Sequence, residues 1–300
     1  MKTRLAPSPT GYLHLGHAYS ALMTKAFADH LGMELILRLE NIDHTRCRHE
    51  YETAVEEDLT ALGIRPSGLV IHQSDRFPRY AKAIQKLQKM GVLFPCTCTR
   101  ADLENAPKTP DGTPLYPGTC RQKTLDDIQG EPYALRLNMT HAIDLLKKQG
   151  NWPLTFEEAT KGHVTATPEK LGDVVIARKE FPTSYHLAVV CDDAAQDITN
   201  IIRGADLFEM THVHRLLQAL LELPTPHYRH HGLLMGADQN KLSKSAASTP
   251  LRELPKMGVQ LEELHAMFQR VWHPNREPGA AFIRQLPEQL RDGLTFEPFR

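Results

Sequence analysis

His14 and His17 stand three residues apart in RLAPSPTGYLHLGHAYSA, residues 4–21, behind a stretch crowded with proline and glycine. Spaced that way at the start of a helix, they share a face, and each can donate a ring N–H to an anionic oxygen. The helix N-terminus adds unpaired backbone N–H groups and a partial positive charge. Gly11 and Gly16 let backbone and ligand approach without an intervening Cβ. The combination suits a nucleotide phosphate at a strand-to-helix turn. The pattern is neither GxGxxG nor GxxxxGK[ST], so neither a dinucleotide fingerprint nor a P-loop fits. For His-x-x-His alone, a pair of surface histidines capping an ordinary turn is the plainer reading.

Far along the chain, NKLSKSAAS (Asn240–Ser248) carries Lys241 and Lys244 in a loop of small polar residues. Two ammonium groups there suit charge that develops only in a transition state, as on a five-coordinate phosphorus with departing pyrophosphate. By itself the stretch also reads as a solvated loop. Cys96, Cys98 and Cys120 cluster in CTCTR and YPGTC, within a stretch that has no helical or strand period. Reduced thiols at that spacing suit a tetrahedral zinc site that needs a fourth ligand, or else three structural cysteines. Cys47 and Cys191 have no partner spacing, and Cys191 in the apolar run YHLAVVCDD reads as core.

The elements that must position these groups alternate. A strand ends within Leu5–Ser8, and a helix over His17–Leu31 closes at Gly32. A dense apolar strand follows at Glu34–Asn41, then a helix at Tyr51–Leu62 stopped by Gly63. LVIHQS reads as a strand and Asp75–Met90 as a helix ending at Gly91. Such alternation predicts an α/β fold with a doubly wound, Rossmann-like parallel sheet. The rhythm breaks after Phe94 and returns with DVVIARK (Asp173–Lys179), with YHLAVVCDD (Tyr185–Asp193) as a strand, and with a helix over Glu209–Leu221. The expected organisation is a Rossmann domain from 1–94 and 173–235, split by a thiol-containing insertion at 95–172. Residues 236–300 then hold the lysine loop and a short, mostly helical C-terminal segment.

With 300 residues, 41% apolar and 24% charged, the chain can bury a substantial core as an ordinary soluble globular protein. A formal net charge of −1 gives nucleic acid no general attraction, so such a partner would need a local basic patch. No run approaches the ~20 apolar residues of a membrane span, and the start lacks an apolar signal segment. Five cysteines, odd in number and unevenly placed, argue against a disulfide framework and for a reducing cytoplasm.

HLGH and KLSKS, flanking a split Rossmann-like fold, resemble the two signatures of class I aminoacyl-tRNA synthetases. RLAPSPTGYLHLGHA and LRLENIDHTR further resemble the glutamyl branch, and the resemblance runs from about Arg4 to Ser245. It implies ATP and L-glutamate as substrates, joined as glutamyl-adenylate with release of pyrophosphate. His14 and His17 would then serve the α-phosphate, Gly16 would leave room for adenosine, and Lys244 with Lys241 would neutralise pyrophosphate. Magnesium would accompany ATP. The implied glutamate pocket has Arg4 and Arg203 on a substrate carboxylate, which a bidentate guanidinium suits. Glu40 would take the ammonium, Ala6, Pro7 and Ser8 would form a wall, and Tyr185 would close the pocket. Each also has a dull reading, Glu40 as a strand-end surface charge and Arg203 as a plain cation. The resemblance further implies one structural zinc per chain on Cys96, Cys98, Tyr116 and Cys120; composition would never select Tyr116.

About 55 residues follow Ser245, fewer than the helical domain with which glutamyl-tRNA synthetases read the anticodon. No anticodon-binding domain is therefore expected. The chain resembles the truncated glutamyl-Q branch, which attaches glutamate to the queuosine base at the wobble position of tRNA(Asp). The expected partners are ATP, L-glutamate and queuosine-bearing tRNA(Asp), with no membrane, and the expected state is a cytoplasmic monomer. Other readings are a shortened synthetase charging a tRNA 3′ end, a nucleotidylyltransferase of the related superfamily, and a non-catalytic RNA-binding paralogue.

Overall fold

The structure is a computed structural model and describes residues 1–109, 112–236, 242 and 249–299. Along the chain run β1 (Lys2–Leu5), α1 (Leu15–His30), β2 (Glu34–Leu39), α2 (His49–Ala61), β3 (Ile71–His72), α3 (Phe77–Lys89) and β4 (Leu93–Cys96). There follow β5 (Ala134–Leu137), α4 (Met139–Lys148), β6 (Thr155–Glu158), β7 (Gly162–Thr165), β8 (Val175–Ala177), α5 (Tyr185–Ala195) and β9 (Asn200–Gly204). The last are α6 (Phe208–Leu221), β10 (His227–His231), β11 (Leu233–Met235), α7 (Leu261–Val271), α8 (Gly279–Gln285), α9 (Glu288–Arg291) and β12 (Thr295–Glu297). Among the described residues no helix is long and apolar enough to cross a membrane. Two compact units result: Met1–His72 with Ile198–Ala205 and Tyr228–Arg300, and Gln73–Asp197 with Asp206–His227.

In the first unit β1, β2 and β3 form a parallel sheet in that order, with Arg4 beside Ile36 and Arg38 beside Ile71. Parallel neighbours need long crossovers, which α1 and α2 supply. β1 stops at Leu5, ahead of Pro7 and Pro9, which have no N–H to give a ladder. On its other side, the N–H of Thr199 donates to the carbonyl of Lys2 over 3.0 Å and seats the start of β9 beside that of β1. α1 buries Ala18, Tyr19, Leu22, Met23 and Phe27. It ends on Gly32 at φ +60°, where the N–H of Met33 reaches back to the carbonyl of Ala28 over 2.8 Å. Glycine enters that left-handed turn without Cβ strain. The same closure ends α2, through Ile64 and Leu59, and α3, through Val92 and Leu87, so all three expected stops are present. Phe268 of α7 and Phe282 of α8 pack around Tyr19 in the core, and β12 adds a short antiparallel partner to β11.

In the second unit β4, β5 and β8 form an antiparallel sheet, and β6 and β7 a hairpin. Asp192 of α5, fully buried, accepts from Gln73 Nε2 at 3.0 Å, Tyr80 Oη at 2.6 Å and Arg76 Nε. Those bonds tie α3 to α5.

The structure corrects one expected element. Tyr185–Asp193 belongs to a helix, α5, and not to a strand. Residues 187–193 are all buried, and a helix covered on every side carries the same unbroken apolar signature as a buried strand. Cys191 is buried there, as core. The two compact units meet along the chain at 72/73, 197/198, 205/206 and 227/228. β4 pairs with β5 and β5 with β8, so strands from both sides of the irregular stretch share one sheet.

Candidate active site and metal centre

His14 is the N-cap residue of α1. Its Nδ1 accepts the backbone N–H of Gly16 at 3.1 Å, and its own N–H donates to His17 Nδ1 at 3.2 Å. A neutral imidazole whose Nδ1 accepts must carry its proton on Nε2. Burial, assisted by the neighbouring His17, pushes the pKa of His14 down to about 3, so the ring is neutral at pH 7. Its Nε2 is buried and has no hydrogen-bond partner among the described residues. The cap thus presents one N–H donor, fixed in direction, whose burial costs stability until an acceptor arrives. His17 lies exposed beside the His14 ring, with ring centroids 3.8 Å apart.

A Cβ on Gly16 would stand 3.0 Å from His14 Cε1 and 3.5 Å from Leu242 Cδ1, so the cap ring itself takes the space beside this glycine. Leu242, between the two lysines of KLSKS, is buried in the core of the same unit. Lys241 and Lys244 lie outside the described residues. Past KLSKS in the sequence, the N–H of Leu251 donates to the carbonyl of Leu13 at 2.7 Å, which fixes Leu251 beside the segment that carries the histidines.

Arg4 on β1, Glu40 just past β2 and Arg203 on β9 are all buried within the first unit. At 8% exposure Glu40 is no surface charge. Its N–H donates to the carbonyl of Pro7 at 2.9 Å, so the Ala6–Pro7–Ser8 segment and Glu40 adjoin at the strand ends. Arg38, fully buried on β2, donates from Nη2 to Glu40 Oε1 at 3.1 Å. Arg203 donates from Nε to His230 Nε2 at 3.1 Å, with its guanidinium 5.4 Å from the Tyr228 ring. Arg4, Arg38 and Arg203 put three buried guanidinium groups and one buried carboxylate in the same unit, an excess of positive charge that suits an anionic substrate group. Tyr185 stands half-buried at the first position of α5, in the second unit, its ring 5.5 Å from that of His214. The sequence reading missed Arg38 and His230. A charge inside the apolar strand ELILRL was a usable signal for Arg38; HYRHH offered none that singles out His230.

In the second unit the Sγ atoms of Cys96, Cys98 and Cys120 lie within 4.8 Å of one another, with Cys98 and Cys120 at 3.6 Å. Tyr116 Oη is 3.4 Å from Cys96 Sγ and 3.7 Å from Cys98 Sγ, and accepts the N–H of Cys120 at 2.7 Å. Zinc–sulfur bonds of about 2.3 Å at tetrahedral angles set sulfurs about 3.8 Å apart, and an oxygen at about 2.0 Å lies about 3.5 Å from each. The separations of 3.4, 3.6 and 3.7 Å are close to those of such a site, and these residues fit the ion. Burial pushes the Cys98 thiol up to about 11 and the Tyr116 phenol well above its ordinary value. At Cys120 burial also pulls upward, but hydrogen bonds from the Tyr116 hydroxyl and the Thr97 backbone outweigh it and hold the thiol at about 6. The sequence reading also missed Arg136 of β5. It donates from Nε to Cys96 Sγ at 3.3 Å and lies 4.0 Å over the Tyr116 ring.

The family model described as tRNA synthetases class I (E and Q), catalytic domain, matches residues 1–277. A glutamyl-Q tRNA(Asp) synthetase of Rhodobacter capsulatus is 43% identical over 258 residues, which are 81% of this chain and 91% of that relative. A glutamate–tRNA ligase of Aquifex aeolicus is 34% identical over 294 residues, 95% of this chain but only 60% of that relative. The fold is similar to that of a glutamate-tRNA synthetase from Elizabethkingia anophelis, with a TM-score of 0.66 and 24% identity. That match covers 86% of this chain and 54% of the other.

Proposed function

The chain belongs to the class I tRNA synthetases, in the family of E and Q catalytic domains, and is a ligase-type enzyme; on that premise we propose that it activates L-glutamate with ATP and passes it to the queuosine at the wobble position of tRNA(Asp). The observation that carries this reading is the 43% identity to the Rhodobacter capsulatus protein named for that activity, over 91% of its length.

In this reading Arg4 and Arg203 hold a substrate carboxylate, and Glu40, oriented by Arg38, receives the ammonium. Ala6, Pro7 and Ser8 wall the pocket, and the family resemblance assigns Tyr185 to glutamate as well. An oxygen of the α-carboxylate bonds to the α-phosphorus of ATP as the bond to pyrophosphate breaks. His14, neutral and protonated on Nε2, donates to a phosphate oxygen whose charge grows as phosphorus becomes five-coordinate. His17 supports the same oxygens, Gly16 makes room for the His14 ring that serves the nucleotide, and Lys244 with Lys241 neutralises departing pyrophosphate. A queuosine hydroxyl oxygen then bonds to the carbonyl carbon and AMP leaves, giving an ester. No side chain is a nucleophile; the work is positioning and electrostatics. Magnesium would come with ATP, held mainly by phosphates and waters. Zinc on Cys96, Cys98, Tyr116 and Cys120 would supply folding energy to an insertion spanning 95–172, with no position left open for a substrate. Residues 1–94 and 173–235 would form the catalytic domain around it. The protein would act as a cytoplasmic monomer.

The test is transfer of radiolabelled glutamate to the anticodon stem-loop of tRNA(Asp), where an unstacked loop base can enter a pocket. Label should appear on the queuosine stem-loop, but not on the guanine version or after periodate cleavage of the cyclopentenediol. Glutamate-dependent ATP–pyrophosphate exchange should proceed without any tRNA. Label on the 3′-terminal adenosine of tRNA(Glu) would instead show a synthetase of the ordinary kind.

A further inference from the structure

Three thiolates and a phenolate would bring four negative charges to a doubly charged ion, leaving the centre with two in excess. Cys96, Tyr116 and Cys120 are buried, where an uncompensated charge is costly. Tyr116 is the one ligand of the four that is not a thiol. One cation lies against it. The Arg136 guanidinium sits 4.0 Å over the Tyr116 ring and donates to Cys96 Sγ at 3.3 Å. Its plane is set from behind: Nη1 donates to the carbonyl of Asp173 at 2.9 Å. Asp173 is itself held, its carboxylate accepting from Arg121 Nε at 2.8 Å and from the N–H of Met139 at 2.9 Å.

We infer that Arg136 is the positioning residue that makes Tyr116 a metal ligand, by stacking on the ring while compensating the charge of the three-thiolate, one-phenolate site. The role rests on the zinc reading above. A guanidinium can stack flat on a ring and donate sideways to sulfur at once; an ammonium has no plane with which to do both. Partners behind a ligand of this kind typically change metal affinity ~10–100-fold when removed.

The experiment measures zinc per chain by elemental analysis, then zinc affinity against a chromophoric chelator, for the full chain and for Arg136→Gln, Arg136→Lys, Tyr116→Phe and Arg136→Gln combined with Tyr116→Phe. Cobalt(II) replacement reports whether the phenolate is bound, through its charge-transfer band. The wild type should hold one zinc. Arg136→Gln should weaken zinc binding ~10–100-fold and remove the phenolate band, and Arg136→Lys should recover little of either. In the Tyr116→Phe background the loss of Arg136 should matter far less. Equal losses in both backgrounds, or a phenolate band that persists without Arg136, would overturn the assignment. If Arg136→Gln does not fold, the lysine variant's cobalt band decides. A wild type without zinc would instead refute the metal reading itself, before Arg136 is in question.

Discussion

Replacing His14 with asparagine separates the ring's electrostatics from its helix cap, because asparagine caps a helix well. The ring's pKa is held near 3 against an ordinary 6.5, chiefly by burial. Below about pH 6.5 the unfolded chain therefore binds a proton at this ring that the folded chain refuses. Where the unfolded state binds more protons, stability rises with pH. The His14 contribution is thus complete above about pH 6.5 and declines as pH falls toward 3. Each pH unit in that window is worth about 1.4 kcal/mol, so moving from about pH 7.5 to 5 should cost the wild type about 2 kcal/mol through this ring alone. His14→Asn lacks the term. Urea unfolding of both proteins at the two pH values measures it directly. The stability difference between them should move by about 2 kcal/mol in the variant's favour at the lower pH. Glutamate-dependent exchange should meanwhile fall ~10²–10³-fold, the scale of losing one donor aimed at developing charge. If the two proteins lose stability in parallel, His14 is not a buried neutral ring with its proton on Nε2, and the donor role goes with it.

Arg4→Ala should weaken glutamate binding by roughly 2–5 kcal/mol, as expected for removing one partner of a buried charge pair. Calorimetric titration showing unchanged affinity would place the substrate carboxylate elsewhere. Lys244→Ala should lower the exchange rate with little change in the glutamate KM, since its contact strengthens only in the transition state. Asp192→Ala strands Arg76, Gln73 and Tyr80 around a buried gap. It should cost about 3 kcal/mol in urea unfolding, whereas a loss within a few tenths would mean that α3 and α5 are held by apolar packing alone.

Features that depend on a few consecutive residues were legible before folding. Gly32, Gly63 and Gly91 stop their helices through bonds that close within six residues, so the sequence contains both partners. The placement of His14 and His17 at the start of a helix is equally local. The place of Tyr116 beside the three thiols was reachable only through the resemblance, because nothing in its sequence neighbours sets it apart from any packed phenol. The nature of α5 was not legible, because its covering elements come from distant parts of the chain and erase the helical period.

The amino-acid sequence by itself determined the chemical types available: two histidines, two lysines, three clustered thiols, and two arginines and a glutamate that the fold buries. It also determined the turns that start and stop the first helices. Only the tertiary structure decided which partner each group has. Arg136 meets Cys96 across 40 positions, Arg203 meets His230 across 27, and Asp192 gathers donors 112 to 119 positions away. It also decided the protonation of His14, since burial and not residue type carries that ring from 6.5 to about 3. A side chain's intrinsic chemistry travels with the residue, but its charge state and partner are set by desolvation and by neighbours that the fold delivers.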